Sequence, residues 1–188
     1  MTSVMPGAEL APNSNASECA LLERLQAWSD TRTNYPRDKT VAQLFEEIAF
    51  AHADSIAVIF GAKQLTYAEL NVRANRLAHR LRLLGVGHET MVGCCLERSL
   101  ELIVAFVGIL KAGGAYVPLD PAYPRERLEF LLKDKNTPVV LTQKSLASTI
   151  LAEHSLPRLL LDDEEQQPSS PLTDVNPTPL DKAEGERS

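Results

Sequence analysis

The stretch ILKAGGAYVPLD, residues 109–120, is the part of this sequence that most looks like a binding site. It places Lys111 just before Gly113–Gly114. A loop of the G-x-x-x-x-G-K-[ST] kind follows a strand and precedes a helix, so that free backbone N–H groups point at a phosphate. Here the order is reversed, because the glycines follow a predicted helix over 99–113 and precede a predicted strand over 115–120. We therefore interpret the stretch as a helix end, with Lys111 complementing the negative end of the helix dipole.

The cysteines and histidines do not form a recognisable reactive or metal-binding pattern. Cys19, Cys94 and Cys95 are odd in number and lack CxxC spacing, so they suggest neither a disulfide framework nor a zinc site and favour reduced thiols in the cytoplasm. Cys94 and Cys95 are neighbours on a predicted strand, so their side chains should point to opposite faces, as small core residues. The four histidines, His79 among them, are isolated from any nucleophile motif. We predict no catalytic, cofactor-binding or metal-ligating residue.

Charged residues near the predicted strand ends have structural explanations as well. Helix-end and surface roles account for Glu97–Arg98 and for the run RERLE at 125–129. Asp120–Pro121 is typical of a turn, because the residue before a proline is driven towards extended backbone.

The net charge of −6 is confined to the carboxyl-terminal part of the sequence. Residues 162–188 contain eight acids and two bases, whereas residues 1–161 contain 17 of each. This distribution excludes a basic surface for nucleic acid. No apolar run approaches the roughly 20 residues that span a bilayer, and the amino terminus lacks the pattern of a secretory signal.

The first half of the sequence predicts three helices and one strand. Apolar spacing predicts a helix over 18–30, and Thr40 with Gln43 forms a possible capping box for a helix over 40–52. Its expected buried residues are Leu44, Phe45, Ile48 and Ala51. SIAVIF, residues 55–60, predicts a strand that ends in a tight turn at Gly61.

The third helix has the clearest pattern. Thr66 and Glu69 form a T-x-x-E capping box, and Gly85 supplies a left-handed residue at the other end. Its apolar stripe consists of Leu70, Ala74, Leu77, Ala78, Leu81 and Leu84.

From residue 90 onward the predicted elements alternate between strand and helix. The strands are expected over 90–97, 115–120, 138–143 and 158–162, and the helices over 99–113, 124–134 and 145–154. Such alternation with apolar strands predicts an α/β fold in which helices cover a parallel sheet.

Composition then divides the chain into four parts. We expect a flexible tail at 1–17, a linker-like segment at 18–39, an α/β part at 40–161 and an acidic Pro/Ser-rich tail at 162–188.

Three segments together resemble the amino-acid-activating (adenylation) domains of non-ribosomal peptide synthetases. LTYAELNVRANRLAHRLRLLGVG resembles the first core motif of that family, and LKAGGAYVPLDPAYPRERLEFLLKD resembles the second. NYPRDKTVAQLFEEIAFAHADSIAVIF is similar to the segment that leads in from an upstream condensation domain. The resemblance runs from about Leu22 to Pro179, and AYVPLDPAYP favours the peptide-synthetase branch over acyl-CoA ligases and luciferases.

The resemblance implies a three-layer α/β subdomain at the amino end of a larger adenylation domain. The reaction it implies joins an amino acid to ATP, with Mg²⁺, to give an aminoacyl adenylate and pyrophosphate. The acyl group then passes to the thiol of a phosphopantetheine arm on a carrier domain. The implied partners are the remainder of the adenylation domain and neighbouring synthetase domains, in the cytoplasm, with neither nucleic acid nor membrane.

The sequence departs from the family after VNPTPL, residues 175–180. In the family a Gly/Ser/Thr-rich phosphate loop of the TSGSTGxPKG kind follows soon after this stretch, whereas here DKAEGERS follows. The family residues that line the amino-acid pocket, bind adenine and ribose and supply the catalytic lysine all come later. We therefore carry none of them onto a position of this sequence.

Three hypotheses follow. The chain is the amino-terminal fragment of an adenylation domain and inactive alone, or it is one half of a split enzyme completed by a second chain. The third is a non-catalytic interaction module whose acidic tail contacts a partner. The amino-acid specificity of the complete domain is not readable from these residues.

Overall fold

The computed structural model of the chain describes residues 21, 23–25, 28–29, 34, 36–134, 137–148, 156–162 and 174–179. The chain forms two compact units, Met1–Asp38 and Lys39–Ser188. In the first unit, the described residues within the predicted helix 18–30 are helical, and the Arg24 guanidinium lies 5.7 Å from the centre of the Trp28 ring. The predicted tail 1–17 and Cys19 lie outside the described residues.

The second unit begins with helix α1, Val41–Ala51, which the predicted capping box starts. The Thr40 hydroxyl oxygen accepts from the backbone N–H of Gln43 at 3.2 Å, and the Gln43 side chain accepts from the Thr40 N–H at 2.8 Å. The predicted buried face is wrong in part. Ile48 and Ala51 are exposed and Ala49 is the buried residue, because α1 lies at the edge of the unit and only part of its surface is covered.

Two antiparallel strands follow, although the sequence predicted only the first. They are β1 Ile56–Phe60 and β2 Lys63–Thr66, joined by a turn in which Gly61 has φ of 59°. The second strand, KQLT, has one apolar side chain, Leu65, which is buried. So short and polar a run carries no strand signal of its own, and its conformation follows from pairing with β1.

Helix α2, Tyr67–Leu83, confirms most of the predicted stripe. Thr66 and Glu69 form the capping box, and Gly85 adopts a left-handed φ of 83° just beyond the helix. Five of the six predicted apolar positions are buried, and Leu84 is 44% exposed instead. Asn75 is fully buried beside the stripe.

The remaining elements confirm the predicted parallel sheet. Its strands are β3 Met91–Cys94, β4 Ala115–Pro118, β5 Val139–Thr142 and β6 Arg158–Leu160, all parallel and in the spatial order β4-β3-β5-β6. The connecting helices are α3 Leu100–Ala112, α4 Arg125–Asp134 and α5 Lys144–Ala147. The predicted helix over 145–154 thus begins at Lys144, and residues 149–155 lie outside the described part.

Helices cover both faces of this sheet and give the predicted three layers. Val139 and Leu141 face a core shared with α2 and α3, whereas Val140 faces a second core shared with α4 and α5. Alternate residues of one strand thus belong to different cores, as strand geometry requires. None of the helices in the described part of the chain has the length and apolar character needed to cross a membrane.

The paired cysteines follow the same alternation, as predicted. Cys94 lies in the core beneath α2 and α3, and Cys95 lies in the core beneath α4 and α5. Both are buried free thiols. Burial raises the pKa of Cys94 to about 12 and that of Cys95 to about 11. Their chemistry is therefore that of small apolar core residues.

Helices α2 and α3 approach each other closely at Gly108. A Cβ atom at this position would lie 2.7 Å from Cδ2 and 2.9 Å from Cγ of the buried Leu77. Close packing of the two helices therefore requires glycine at position 108, although glycine has a poor helix propensity in a helix interior.

We expect Gly108→Ala to lower the free energy of unfolding by about 1 kcal/mol, because overpacking costs roughly 1–3 kcal/mol and better helix propensity offsets about 1. In a Leu77→Ala background the same change should cost less, since Cδ2 and Cγ are gone and only the Leu77 Cβ, at 3.1 Å, remains close. Urea unfolding of the four chains gives this coupling. Equal effects of Gly108→Ala in both backgrounds would contradict the close contact.

We expect the thiols of Cys94 and Cys95 to resist alkylation in the folded chain. With a pKa of about 12, Cys94 has a thiolate fraction of about 10⁻⁴ at pH 8, and burial restricts access further. Both thiols should react once urea unfolds the chain, which peptide mass spectrometry can follow. Labelling of either residue in the native chain at the rate of free glutathione would show that the core is open.

Candidate functional site

The glycines after α3 form a helix end and a turn into a strand, as the reversed order predicted. Gly113 has a left-handed φ of 89°. Its N–H donates to the Leu110 carbonyl at 3.1 Å, that of Gly114 to Ile109 at 3.0 Å and that of Ala115 to Thr90 at 2.8 Å. Three consecutive N–H groups are thus bonded within the fold. A phosphate-binding loop needs such donors free.

Lys111 is placed differently from the sequence interpretation. Its side chain is fully buried, and its ammonium forms an ion pair with Glu46 of α1. The same Nζ donates to the Asn176 side-chain oxygen at 3.2 Å and lies 5.7 Å from the centre of the Phe45 ring. Burial lowers the pKa of Lys111, and the hydrogen bond to Glu46 opposes that shift. The Lys111 ammonium is therefore occupied by interactions with other groups of the protein.

Arg82 of α2, rather than the Lys111 side chain, donates a hydrogen bond to the carboxyl end of α3. Its guanidinium donates through Nη2 to the Lys111 carbonyl at 2.9 Å and through Nη1 to the Thr178 carbonyl at 2.7 Å. Burial lowers the pKa of Arg82, which stays a cation because its usual value is so high. The negative end of the helix dipole thus has a cationic partner, but the partner comes from α2.

Residues 174–179, which we call the strap, lie against α2. The sequence placed them in the acidic tail 162–188. Arg76 holds the Asp174 carboxylate through Nε at 2.6 Å and Nη2 at 3.2 Å, and this hydrogen bonding lowers the pKa of Asp174. His79 contacts the Val175 carbonyl at 3.0 Å. These side chains attach one end of the strap to the middle of α2.

The centre of the strap is held at a single oxygen atom. The Oδ1 of Asn176 accepts from the side-chain amides of Asn71 and Asn75, each at 3.0 Å, and from the Lys111 ammonium at 3.2 Å. Asn75 also donates to the Asp174 carbonyl at 2.7 Å. Three side-chain donors thus converge on one oxygen atom, which belongs to a residue of the chain itself.

The carboxyl edge of the sheet is the other place where this architecture could bind a ligand. Open parallel sheets bind ligands beyond the strand ends, where the strand order reverses, and here that point lies between β3 and β5. The Gln143 side chain accepts from the Glu97 N–H across it at 3.4 Å. A shallow cleft beside it, lined by Arg98 and Asp120 among others, is open to solvent. The Asp120 carboxylate accepts from the Ala122 N–H at 2.9 Å, which confirms the predicted turn.

The lysine and glycines of the ILKAGGAYVPLD stretch do not fit ATP phosphates. The lysine and the glycine N–H groups of the phosphate-like stretch are all engaged. Within the described ranges, no three His, Cys, Asp or Glu side chains lie together so as to hold a metal ion. The nucleotide chemistry implied by the resemblance therefore has no counterpart at these positions.

Sequence reasoning missed the polar cluster around Lys111. Glu46 and Lys111 are 65 residues apart, and nothing in either local pattern points to the other. A weak signal did exist on α2, because Asn71 and Asn75 are spaced four residues apart beside an apolar stripe. Polar groups at such positions need partners, which only the folded chain identifies.

Comparisons with known proteins agree with the fold. A family model described as AMP-binding enzyme matches residues 45–186. One component of the linear gramicidin synthase of Brevibacillus parabrevis is 57% identical over 118 residues, which cover 63% of this chain and 2% of that protein. Another component of the same synthase is 45% identical over 179 residues, covering 90% of this chain and 3% of that protein.

A solved structure gives the same result. The AMPPNP-bound form of the non-ribosomal peptide synthetase FmoA3 superposes with a TM-score of 0.74 at 30% sequence identity. The superposition covers 84% of this chain and 17% of that one. The present sequence thus spans only a small share of these multidomain relatives. It belongs to the AMP-binding enzyme family and corresponds to the amino-terminal part of a non-ribosomal peptide synthetase adenylation domain.

Proposed function

We propose that this chain supplies the first α/β unit of an adenylation domain and does not activate an amino acid by itself. The observation that carries the proposal is the commitment of Lys111 to Glu46 and Asn176. The one stretch that looked like a phosphate site is thereby a structural element. Stabilising charge on a transferring phosphoryl group needs donors aimed at that charge.

The complete domain would carry out the reaction that the family implies. An amino acid and ATP, with Mg²⁺, give the aminoacyl adenylate and pyrophosphate, and the acyl group then passes to a carrier-bound phosphopantetheine thiol. In this proposal the present residues are the scaffold, and the chain binds no cofactor alone. Its partners are the rest of the domain and neighbouring synthetase domains. We place it in the cytoplasm, where buried free thiols such as Cys94 and Cys95 stay reduced.

A split enzyme is the second candidate, and exposed apolar side chains favour it. Phe50 on α1 is 91% exposed and Ile59 on β1 is 66% exposed. Ile48, Ile56 and Phe60 in the same two elements are also large, apolar and exposed. A second chain carrying the catalytic residues would cover such side chains. The interaction-module hypothesis depends on the acidic tail 162–188, of which residues 163–173 and 180–188 lie outside the described part.

We expect the purified chain to show no amino-acid-dependent exchange of pyrophosphate into ATP, because its own residues provide no site for the phosphates. The assay should use all proteinogenic amino acids with Mg²⁺-ATP. An intact adenylation domain from a related synthetase is the positive control, and the same mixture without amino acid is the blank. Exchange above the blank with any amino acid would overturn the proposal of inactivity.

Adding the remainder of the domain as a separate chain distinguishes the two candidates. If the chain works only when it is covalently joined to the rest of the domain, the mixture should stay inactive. A split enzyme should instead recover the exchange of pyrophosphate into ATP. In the second case Phe50→Ser should weaken the recovery, because the contact would lose apolar burial and would bury a hydroxyl instead. The matched change on α4, Phe130→Ser, alters a side chain that is 55% exposed and should have no effect, because α4 packs at the other face of the sheet from α1 and β1.

A further inference from the structure

Three separate elements meet at one ammonium group. Lys111 comes from the last turn of α3, Glu46 from α1 and Asn176 from the strap. The Lys111 side chain is fully buried, and that of Glu46 is 20% exposed. These residues are far apart in sequence, so this group joins the helix that begins the unit to the segment that follows its last strand.

The position of the ammonium depends on Glu46. A buried cation without a partner is costly, and it either loses its proton or moves towards water. Burial already lowers the pKa of Lys111, and the bond to Glu46 is the interaction that opposes this shift. Removing the Glu46 carboxylate would therefore move or deprotonate the Lys111 ammonium, which donates a hydrogen bond to Asn176.

The strap in turn depends on the donor cluster at Asn176. The Arg76–Asp174 pair at its end is partly exposed, with side-chain exposures of 25% and 37%, and surface pairs of this kind contribute little to stability. The other strap contacts described above come from α2. Lys111 supplies the contact from α3 and the only fully buried charge among the strap's described partners.

We propose that Lys111 is a positioning residue that couples α1 to the strap. Glu46 holds the ammonium in place, the ammonium holds Asn176, and Asn176 keeps the strap seated on Asn71 and Asn75. A partner that pulls Glu46 away from Lys111 would thereby loosen the strap without touching it. The proposal concerns this chain alone and is independent of the adenylation reaction.

Nuclear magnetic resonance of the full ¹⁵N-labelled chain tests the coupling. The side-chain amide of Asn75, which donates to both Asp174 and Asn176, reports the seated strap, and the heteronuclear NOE of Val175, Asn176 and Thr178 reports its fast motion. In Lys111→Met and in Glu46→Gln we expect the NOE values to fall. Exchange of the Asn75 amide protons should rise about tenfold, which corresponds to about 1.4 kcal/mol.

Two matched controls separate coupling from general destabilisation. Glu47→Gln removes the neighbouring α1 carboxylate, which pairs with Lys39 at the surface. Lys133→Met removes a lysine in the last turn of α4. Both should leave the strap signals unchanged. In every variant the core amides of Val140 and Leu141 should stay protected, because β5 is not part of the cluster.

The decisive outcome is the behaviour of the strap in a folded Glu46→Gln chain. Unchanged NOE values and Asn75 exchange there would overturn the proposal, since the strap would then be indifferent to the α1 carboxylate. If Lys111→Met does not fold, Asn176→Ala tests the last link at an exposed residue. This variant should release the Asn75 amide and the strap, and a strap that stays ordered in Asn176→Ala would likewise overturn the proposal.

Discussion

The need to cover both faces of a parallel sheet organises this unit. Strands β3 and β5 are central and are buried on both faces, so that successive residues of β5 enter different cores. The cover on one face requires α2 and α3 to pack closely, and the absence of a side chain at Gly108 allows it. The hairpin β1–β2 adds Leu65 to the same core. Most of the buried side chains serve this one requirement.

The lysine and glycines of one family-identifying stretch serve this architecture. In ILKAGGAYVPLD the glycines end α3 and start β4, and Lys111 ties the end of the helix to α1. A motif can therefore mark an ATP-using family while its own polar atoms form hydrogen bonds and ion pairs inside the protein. Its value for identification comes from the packing that it specifies.

Local signals in the sequence predicted the elements that depend on local chemistry. The capping boxes at Thr40 and Thr66, the left-handed residue at Gly85, the helix end at Gly113 and the alternation that gives a parallel sheet are all confirmed. The features that were missed depend on distant partners. KQLT becomes a strand by pairing with β1, and the strap adheres to side chains about 100 residues earlier. The Glu46–Lys111 pair has no sequence periodicity that could reveal it.

Prolines at 177 and 179 give the strap an unusual hydrogen-bonding character. Two of its six residues lack an N–H group, so the strap accepts hydrogen bonds more readily than it donates them. The surface that it covers is matched, because Asn75, Arg76 and Arg82 present donors to it. A segment with two prolines is a poor template for an incoming β-strand, which needs alternating donors and acceptors along its edge. The strap thus shields one side of α2 without offering neighbouring molecules an edge on which to aggregate.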